Sequence, residues 1–171
     1  MTSSISNNTN LFQPTGFKVI IDRQNFANLE FFVQGISHPG ANCPAIETAV
    51  KRLQGIPMPG GQMEYSELTM DVLLDEDMNS YKEMYNWLLR SVNSEMITRR
   101  DDFGGGRSTQ PTYSDITLVA LTSHNNKSVK FKYVDALPVS IGEIRFEAQN
   151  QSVEYVTFPA SFRFSYFEIV E

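Results

Sequence analysis

The feature that most constrains the fold is the alternation of apolar and polar residues in segment 66–75. One face of this segment would carry Leu68, Met70, Val72 and Leu74, and the other Thr69, Asp71 and Leu73. Side chains of a β-strand point alternately to opposite faces, so a period of two predicts a half-buried strand. The rest of the chain must therefore supply a sheet around it.

Several other segments have the same strand-forming character. Runs of β-branched and aromatic residues bounded by turn residues predict strands at 17–22, 29–36, 46–53, 141–146 and 153–170. Segments 115–122 and 129–134 predict a hairpin around the turn 124–128. In the last strand, Phe162, Phe164 and Tyr166 should share a face. The Pro- and Gly-rich segments 37–44 and 56–61 predict loops.

One segment, 78–92, has the period of an amphipathic helix. Its predicted face consists of residues spaced by three and four, namely Met78, Tyr81, Tyr85, Leu88 and Val92. Ser80 and Glu83 have the spacing of a capping box, and the acidic run 75–77 suits the positive end of the helix dipole. We therefore expect one helix that packs over the end of a barrel or sandwich.

Together these elements predict an α+β fold that is mainly β, with antiparallel sheet dominant. The 171 residues fit a single domain, 1–171. Hydrophobic residues make up 41% and charged residues 20%, which excludes general disorder. Two segments lack a regular pattern: a polar N-terminal arm, 1–16, and a long Gly-rich loop, 93–114.

The charge and cysteine content exclude several classes of protein. With 14 Lys and Arg against 20 Asp and Glu, the formal net charge is -6, which does not suit gripping nucleic-acid phosphates. A single cysteine, Cys43, excludes an internal disulfide framework and zinc sites with two thiolates. No segment approaches the roughly 20 apolar residues of a membrane helix. The polar first ten residues do not resemble a secretory signal.

The candidate catalytic and metal-binding patterns are incomplete. His38 and Cys43 could form a nucleophile pair, but no orienting acid stands at a recognisable spacing. Segment 75–86 begins like a calcium loop, then has Ser80 and Asn86 where Gly and Glu are needed. Segment 138–142 lacks the first glycine of a nucleophile elbow and reads as a tight connection. We expect no catalytic residue, no metal and no cofactor.

The glycine run 104–106 lacks the spaced glycine and lysine of a phosphate-binding loop. Arg99, Arg100 and Arg107 could meet phosphates, although Asp101 and Asp102 lie beside them. A flexible surface loop is the simpler interpretation of this segment.

Three segments in order resemble the tail tube protein of contractile-tailed phages of the T-even type. They are 10–32, 56–88 with its DED and YNWL runs, and 136–169 with the pattern P-x-x-I-G-E-I and an aromatic closing strand. The resemblance implies two packed antiparallel sheets forming a barrel or sandwich with one flanking helix. It also implies a structural subunit, not an enzyme, whose six-membered rings stack into a hollow conduit for DNA.

The same resemblance implies partners and a location. The subunit would contact copies of itself, the tail sheath protein, a baseplate or tube initiator, a tail terminator and a tape measure protein, with DNA passing only transiently. It would reside in the virion and assemble in the host bacterial cytoplasm. Sheets of neighbouring subunits would join into one inner barrel, and the net charge of -6 could make its lumen repel phosphate.

Segment 37–61 is our first candidate for contact between rings, and the 93–114 loop and the N-terminal arm are the second. The candidate contact residues are His38, Pro39, Gly40, Lys51, Arg52, Pro57, Met58, Pro59, Gly60, Asp102 and Phe103. The surface that Lys130 and Lys132 occupy, inner or outer, stays open at this point.

Three alternatives remain. The chain could be a baseplate–tube junction paralogue, or the tube subunit of a contractile bacteriocin or secretion system without DNA. It could also be a monomeric β-sandwich that binds a ligand such as a glycan. An enzyme ranks last, since a hydrolase would require Ser140 or Cys43 to lie within hydrogen-bond reach of His38 or His124.

Overall fold

The structure is a computed structural model that describes residues 12, 14–22, 25–50, 53–58, 60–92, 112–124, 126–146 and 155–170. Two helices lie among these residues, α1 (Ala27–Phe31) and α2 (Asn79–Val92). The strands are β1 (Phe17–Ile20), β2 (Val33–Ser37), β3 (Ala41–Asn42), β4 (Ile46–Val50), β5 (Leu53–Met58), β6 (Glu64–Tyr65), β7 (Leu68–Leu73), β8 (Ser114–Leu121), β9 (Lys127–Ile141), β10 (Thr157–Arg163) and β11 (Tyr166–Val170).

The long strand β9 belongs to two antiparallel sheets. Its first part lies between β8 and β11, and β1 extends this sheet beyond β8; we call these four strands sheet A. Its last part pairs with β10, followed by β7 and β2, which form sheet B. The arrangement is sandwich-like and not closed into a barrel. The prediction of a mainly β, α+β fold with two antiparallel sheets is confirmed.

A bulge in β9 marks the change from one sheet to the other. The pairing with β8 shifts between Ser114 and Ile116, and Asp135 adopts a φ of 54° at this point. Asp tolerates the left-handed region better than most residues. The Asp135 backbone N–H donates to Asp115 Oδ1 at 3.2 Å, which holds the irregular turn in place.

The predicted strand 29–36 is wrong in its first part, because residues 27–31 form α1. The Leu29 backbone N–H donates to Glu83 Oε2 of α2 at 3.0 Å, and the Asn28 amide donates to Glu83 Oε1 at 2.6 Å. Leu29 and the preceding Phe26 are fully buried. Tertiary contacts therefore override the β-propensity of this aromatic segment.

Helix α2 is confirmed, but its predicted buried face is wrong. The side chains at zero exposure are Ser80, Met84 and Trp87, at spacings of four and three, whereas Tyr85 is 47% exposed. Trp87 stacks on Phe26 with 4.1 Å between ring centroids and donates from Nε1 to the Thr112 carbonyl at 2.7 Å. The buried face therefore lies one residue before the predicted face, because Ser80, which is hydrogen-bonded, and Trp87 are the buried residues instead of Tyr81 and Leu88.

The predicted capping box is also wrong. Glu83 bonds to α1, and the cap is Asp75, whose Oδ1 accepts the Ser80 backbone N–H at 3.1 Å and lies 3.0 Å from the Ser80 hydroxyl. Desolvation alone would raise the pKa of the Asp75 carboxyl. The hydrogen bonds from Ser80 and Asn79 outweigh it and hold the pKa below its ordinary value.

The remaining strand predictions need three corrections. Segment 46–58 is a hairpin of two strands, β4 and β5, so the expected single strand and the expected break at 56 are wrong. Of segment 141–146, only Ile141 is in a strand. Pro138 pairs with Phe162 inside β9, so segment 138–142 is mostly strand and not a tight connection.

Segment 153–170 was expected to run as one closing strand. It contains two strands, β10 and β11, separated at residues 164–165, and the first pairs in sheet B while the second pairs in sheet A. Phe162 is buried whereas Tyr166 is 45% exposed, so these two aromatic residues do not share an environment.

The core lies between the two sheets and against α2. Its largest fully buried side chains are those of Trp87, Tyr133, Phe26, Phe158 and Phe162. Burial of each such aromatic side chain stabilises the fold by roughly 1.5–3 kcal/mol. The N-terminal arm up to residue 11 and the loop 93–111 lie outside the described residues. No helix in the described part of the chain is long and apolar enough to span a membrane.

Replacement of Asp75 by Ala removes the side-chain acceptor at the start of α2. We expect the free energy of unfolding to fall by about 1 kcal/mol, the usual cost of a lost helix cap. Urea denaturation followed by circular dichroism measures this change. Asp77→Ala, at an exposed acid two residues away, is the matched control, and equal losses in the two variants would contradict the capping role.

Candidate assembly interface

The predicted contact residues 38–40 lie at the base of the segment 41–61. The His38 ring packs against Phe131 and Phe167, and its Nδ1 lies 2.7 Å from the Tyr133 hydroxyl. Pro39 is buried, and the Gly40 carbonyl accepts the Ser66 backbone N–H at 3.0 Å. These contacts are within the chain and anchor the segment that follows to sheet A.

The segment beyond this base is the hairpin β4–β5. Ile46 pairs with Met58, and these two residues are 60% and 54% exposed. Pro57 pairs with Glu47 inside the hairpin. Lys51, Arg52 and Pro59 lie outside the described residues, as do Asp102 and Phe103 of the loop 93–111.

Gly60 closes the base of the hairpin on its other side. A Cβ atom at this position would lie 1.9 Å from the Pro44 carbonyl oxygen, so only glycine fits without a backbone shift. The Cys43 thiol donates to the Gly60 carbonyl at 3.3 Å. The two segments that lead into and out of the hairpin are thus held together.

The candidate nucleophile pair is not assembled. The His38 ring bonds to Tyr133, while the Cys43 thiol is directed to a backbone carbonyl. Ser140 is exposed on β9, where it pairs with Ser161. Among the described residues, no group of three His, Cys, Asp or Glu side chains could hold a metal ion.

Sheet A has an unpaired strand at each edge in the described part of the chain. β1 pairs only with β8, and β11 pairs only with β9. Both edges expose apolar side chains, since Ile20 is 41% and Ile169 is 62% exposed. Unpaired edges with apolar side chains are templates for pairing with another chain.

The face of sheet A that points away from the core carries most of its charge. Register places Lys18 of β1 opposite Val119 of β8, and Val119 opposite Lys130 of β9. It likewise places Lys132 between Thr117 and Glu168. Sequence alternation shows that Lys130 and Lys132 share a face, but only the pairing shows that this face points away from the core.

An ion pair connects two strands on this outer face. Lys132 Nζ lies 2.8 Å from Asp115 Oδ2, and both side chains are about two-fifths exposed, at 41% and 43%. The hydrogen bond from Lys132 lowers the pKa of Asp115, and the same bond raises the pKa of Lys132. At this exposure solvent screens the two charges, so the pair adds little to the stability of the fold.

An apolar groove opens at the end of sheet A that lies next to the β8–β9 turn, between this sheet and β2. Its cavity volume is 430 Å³, and its lining residues include Phe17, Ile36, Leu118, Val129 and Phe131. Most of these side chains point toward the core side of sheet A, where the described part of the chain does not cover them fully.

Substitution of Gly60 by Ala should destabilise the base of the hairpin. We expect the free energy of unfolding to fall by about 1–3 kcal/mol, because the added Cβ overlaps the Pro44 carbonyl. Gly61→Ala is the matched control, since a Cβ there has no described atom within 4 Å. Chemical denaturation measures both variants, and an equal effect would contradict the close approach.

His38 should make the stability depend on pH. Desolvation lowers the pKa of His38 in the folded chain from its ordinary value of 6.5, so the unfolded chain binds the proton more readily. The folded chain should therefore lose stability as the pH falls below the ordinary histidine pKa. Thermal unfolding between about pH 7.5 and about pH 5.5 measures this loss.

His38→Gln should reduce that loss, and His124→Gln at the exposed turn should leave it unchanged. An identical pH dependence in all three proteins would exclude His38 as the titrating group.

Comparison with known proteins agrees with this fold. The chain matches the model of the phage tail tube protein family over residues 5–170. No curated protein matches it. Among solved structures it is similar to a chain of the anti-feeding prophage cap, described as the tube-terminating cap, with 17% identity, 98% of this chain and 95% of that chain covered, and a TM-score of 0.66.

Two further solved structures share the fold. A chain of the sheath–tube complex of an extracellular contractile injection system, PVC, in its extended state has 14% identity, coverage of 98% and 99%, and a TM-score of 0.62. A type six secretion system protein has 8% identity, coverage of 90% and 81%, and a TM-score of 0.51. These identities show the fold alone. Since the family model spans nearly the whole sequence, the chain belongs to the phage tail tube protein family.

Proposed function

We propose that the chain is the structural subunit of the inner tube of a contractile phage tail. Six copies would form a ring, and rings would stack into a hollow conduit that delivers DNA into the host. Membership of a family of structural tube proteins favours this role over an enzymatic one. The observation that carries the proposal is sheet A, a four-stranded sheet with one exposed face and an unpaired strand at each edge of its described part.

The two edges of sheet A allow a ring to close. β1 of one copy would pair with β11 of the next copy, and the four strands contributed by each copy would continue around a barrel. Closure of a barrel removes every exposed edge. The two edges differ from each other, so the contact is heterologous and closes only if the rotation between copies completes a circle.

The face of sheet A that points away from the core would then line the inside of the conduit. The other face packs against the core, where Tyr133 and Ile116 are fully buried. Helix α2 and sheet B would lie on the outside of the ring, toward the sheath. Segment 37–61 and the remaining predicted contact residues are proposed to contact the neighbouring ring.

Further partners follow from the same role. The sheath–tube, baseplate and terminator structures that share this fold support contacts with a sheath, a baseplate initiator and a terminator. A tape measure protein would set the length of the conduit. The particle would be a virion assembled in the host bacterial cytoplasm, while a junction paralogue or a DNA-free injection particle is the alternative.

Negative-stain electron microscopy of the purified chain over a concentration series tests the proposal. Rings with six-fold class averages, or hollow tubes, are the expected result. Isolated single rings that never extend would favour the junction paralogue. A chain that stays monomeric at every concentration, with and without a baseplate initiator, would contradict the tube role and favour a monomeric binding module.

Ile169→Lys should prevent ring closure. Lysine at an exposed edge strand opposes pairing with another chain, and Ile169 is already 62% exposed, so the fold should tolerate it. We expect an unchanged melting temperature and at least a tenfold loss of rings in sedimentation and microscopy. Val139→Lys, also at an exposed apolar residue but on the part of β9 that belongs to sheet B, is the matched control. Normal rings from Ile169→Lys would exclude β11 from the lateral contact.

A further inference from the structure

Strands β3 and β6 form a separate two-stranded sheet, the β3–β6 pair, from which the hairpin β4–β5 extends. In the described part of the chain, neither strand pairs with sheet A or sheet B. Strand hydrogen bonds therefore do not fix the β3–β6 pair to the rest of the subunit. Its position depends instead on side chains at its two ends, His38 before β3 and Tyr65 in β6.

The two side chains at these ends pack on the same aromatic residue of sheet A. The His38 ring centroid lies 5.1 Å from that of Phe167 and 4.7 Å from that of Phe131. The Tyr65 ring centroid lies 5.4 Å from those of Phe167 and Phe164. Aromatic pairs at such distances attract each other beyond the effect of buried area. Phe167 thus holds both ends of the β3–β6 pair.

A hydrogen bond to a buried hydroxyl fixes the orientation of the His38 ring. Its Nδ1 lies 2.7 Å from the hydroxyl oxygen of Tyr133, and Tyr133 is fully buried. Among the described residues, this hydroxyl has no second hydrogen-bond partner. A buried O–H group needs an acceptor, so we assign Tyr133 as the donor and Nδ1 of the neutral ring as the acceptor.

Protonation of His38 removes this acceptor. Both ring nitrogens of an imidazolium are donors, so Nδ1–H would be directed at the Tyr133 oxygen, and the Tyr133 proton would lose its partner. Tyr133 does not supply a negative charge in exchange, because burial raises the pKa of its hydroxyl. The same surroundings lower the pKa of His38 from its ordinary value of 6.5, through desolvation of the charged ring. The contact therefore suits the neutral ring.

No charged group offsets this effect in the described part of the chain. The residues of β9 and β11 that contact the His38 ring are aromatic. The charged residues between them lie, by strand alternation, on the opposite face of sheet A, namely Lys130, Lys132 and Glu168. On β6, Glu64 is exposed and alternates with Tyr65. The described residues that line the groove beside His38 include no other ionisable side chain.

We propose that His38 is a pH-sensitive latch, whose neutral ring holds the β3–β6 pair on sheet A and whose protonation releases it. His38 is accessible to solvent, so a proton reaches the ring without unfolding of the chain. The release is local, because the core around Trp87 does not include His38. Its consequence for assembly, a weaker contact of segment 37–61 with a neighbouring ring in acid, rests on the proposed function.

The fluorescence anisotropy of a pH-insensitive dye on Cys43 tests the latch in the full chain. Cys43 is the single cysteine, is exposed and directly follows β3. Between about pH 7.5 and about pH 5, we expect one fall in anisotropy, centred below the ordinary histidine pKa. Uptake of one proton changes the ratio of released to held chains by at most about tenfold per pH unit. The emission of Trp87, the single tryptophan, should stay constant over this range.

Three variants assign the step to His38. His38→Gln should abolish it, since an amide does not titrate, whereas His124→Gln at the exposed turn should leave it unchanged. Tyr133→Phe should lower the anisotropy already at pH 7.5 and reduce the step by about half or more, because the hydrogen bond is then absent at both ends of the titration. Sedimentation establishes a concentration at which each protein has the same assembly state throughout.

Three results would overturn the proposal. One is constant anisotropy of the wild-type chain, and another is a step of wild-type size in His38→Gln or, if that variant does not fold, in Tyr133→Phe. The third is a change of Trp87 emission at the same pH as the step, which would indicate global unfolding. None of these measurements requires rings or tubes, so a failure of the proposed tube function in microscopy is a separate result.

Discussion

The shared strand β9 is the element on which the rest of the structure depends. Its first part holds β8 and β11 in sheet A, and its last part holds β10 in sheet B. The bulge at Asp135, fixed by Asp115, turns the strand from one sheet to the other. A bulge bends a strand and increases its twist, which allows β9 to serve two layers that lie at an angle to each other.

The arrangement of the two layers determines which surfaces are buried in the core and which are exposed in the described part of the chain. Sheet B, α1 and α2 enclose the aromatic core, with Trp87 stacked on Phe26 and bonded to Thr112. Sheet A contributes one face to this core, and among the described residues no strand pairs with its two edges and no element packs on its other face. In the described part of the chain, the core is complete, while the backbone groups at the two edges of sheet A have no strand partner.

The periodicity of apolar residues correctly predicted the elements that bury one face against the core, namely β7 and α2. Segment 66–75 alternates cleanly because β7 lies in the middle of sheet B, and it was recovered as Leu68–Leu73. The helix 78–92 was recovered to within one residue. The errors lie where a distant residue decides the outcome: Glu83 converts 27–31 into a helix, and Asp75 replaces the expected cap.

The surface proposed for assembly could be predicted from the sequence only in part. Alternation placed Lys130 and Lys132 on a common face, but the strand register was needed to add Lys18 and to show that the face is exposed. Charges separated by a hundred residues in sequence become neighbours only after β1, β8 and β9 are paired. A net charge of -6 is therefore a poor guide to any one surface of this chain, because strand pairing brings Lys18, Lys130 and Lys132 to the same face as Asp115 and Glu168.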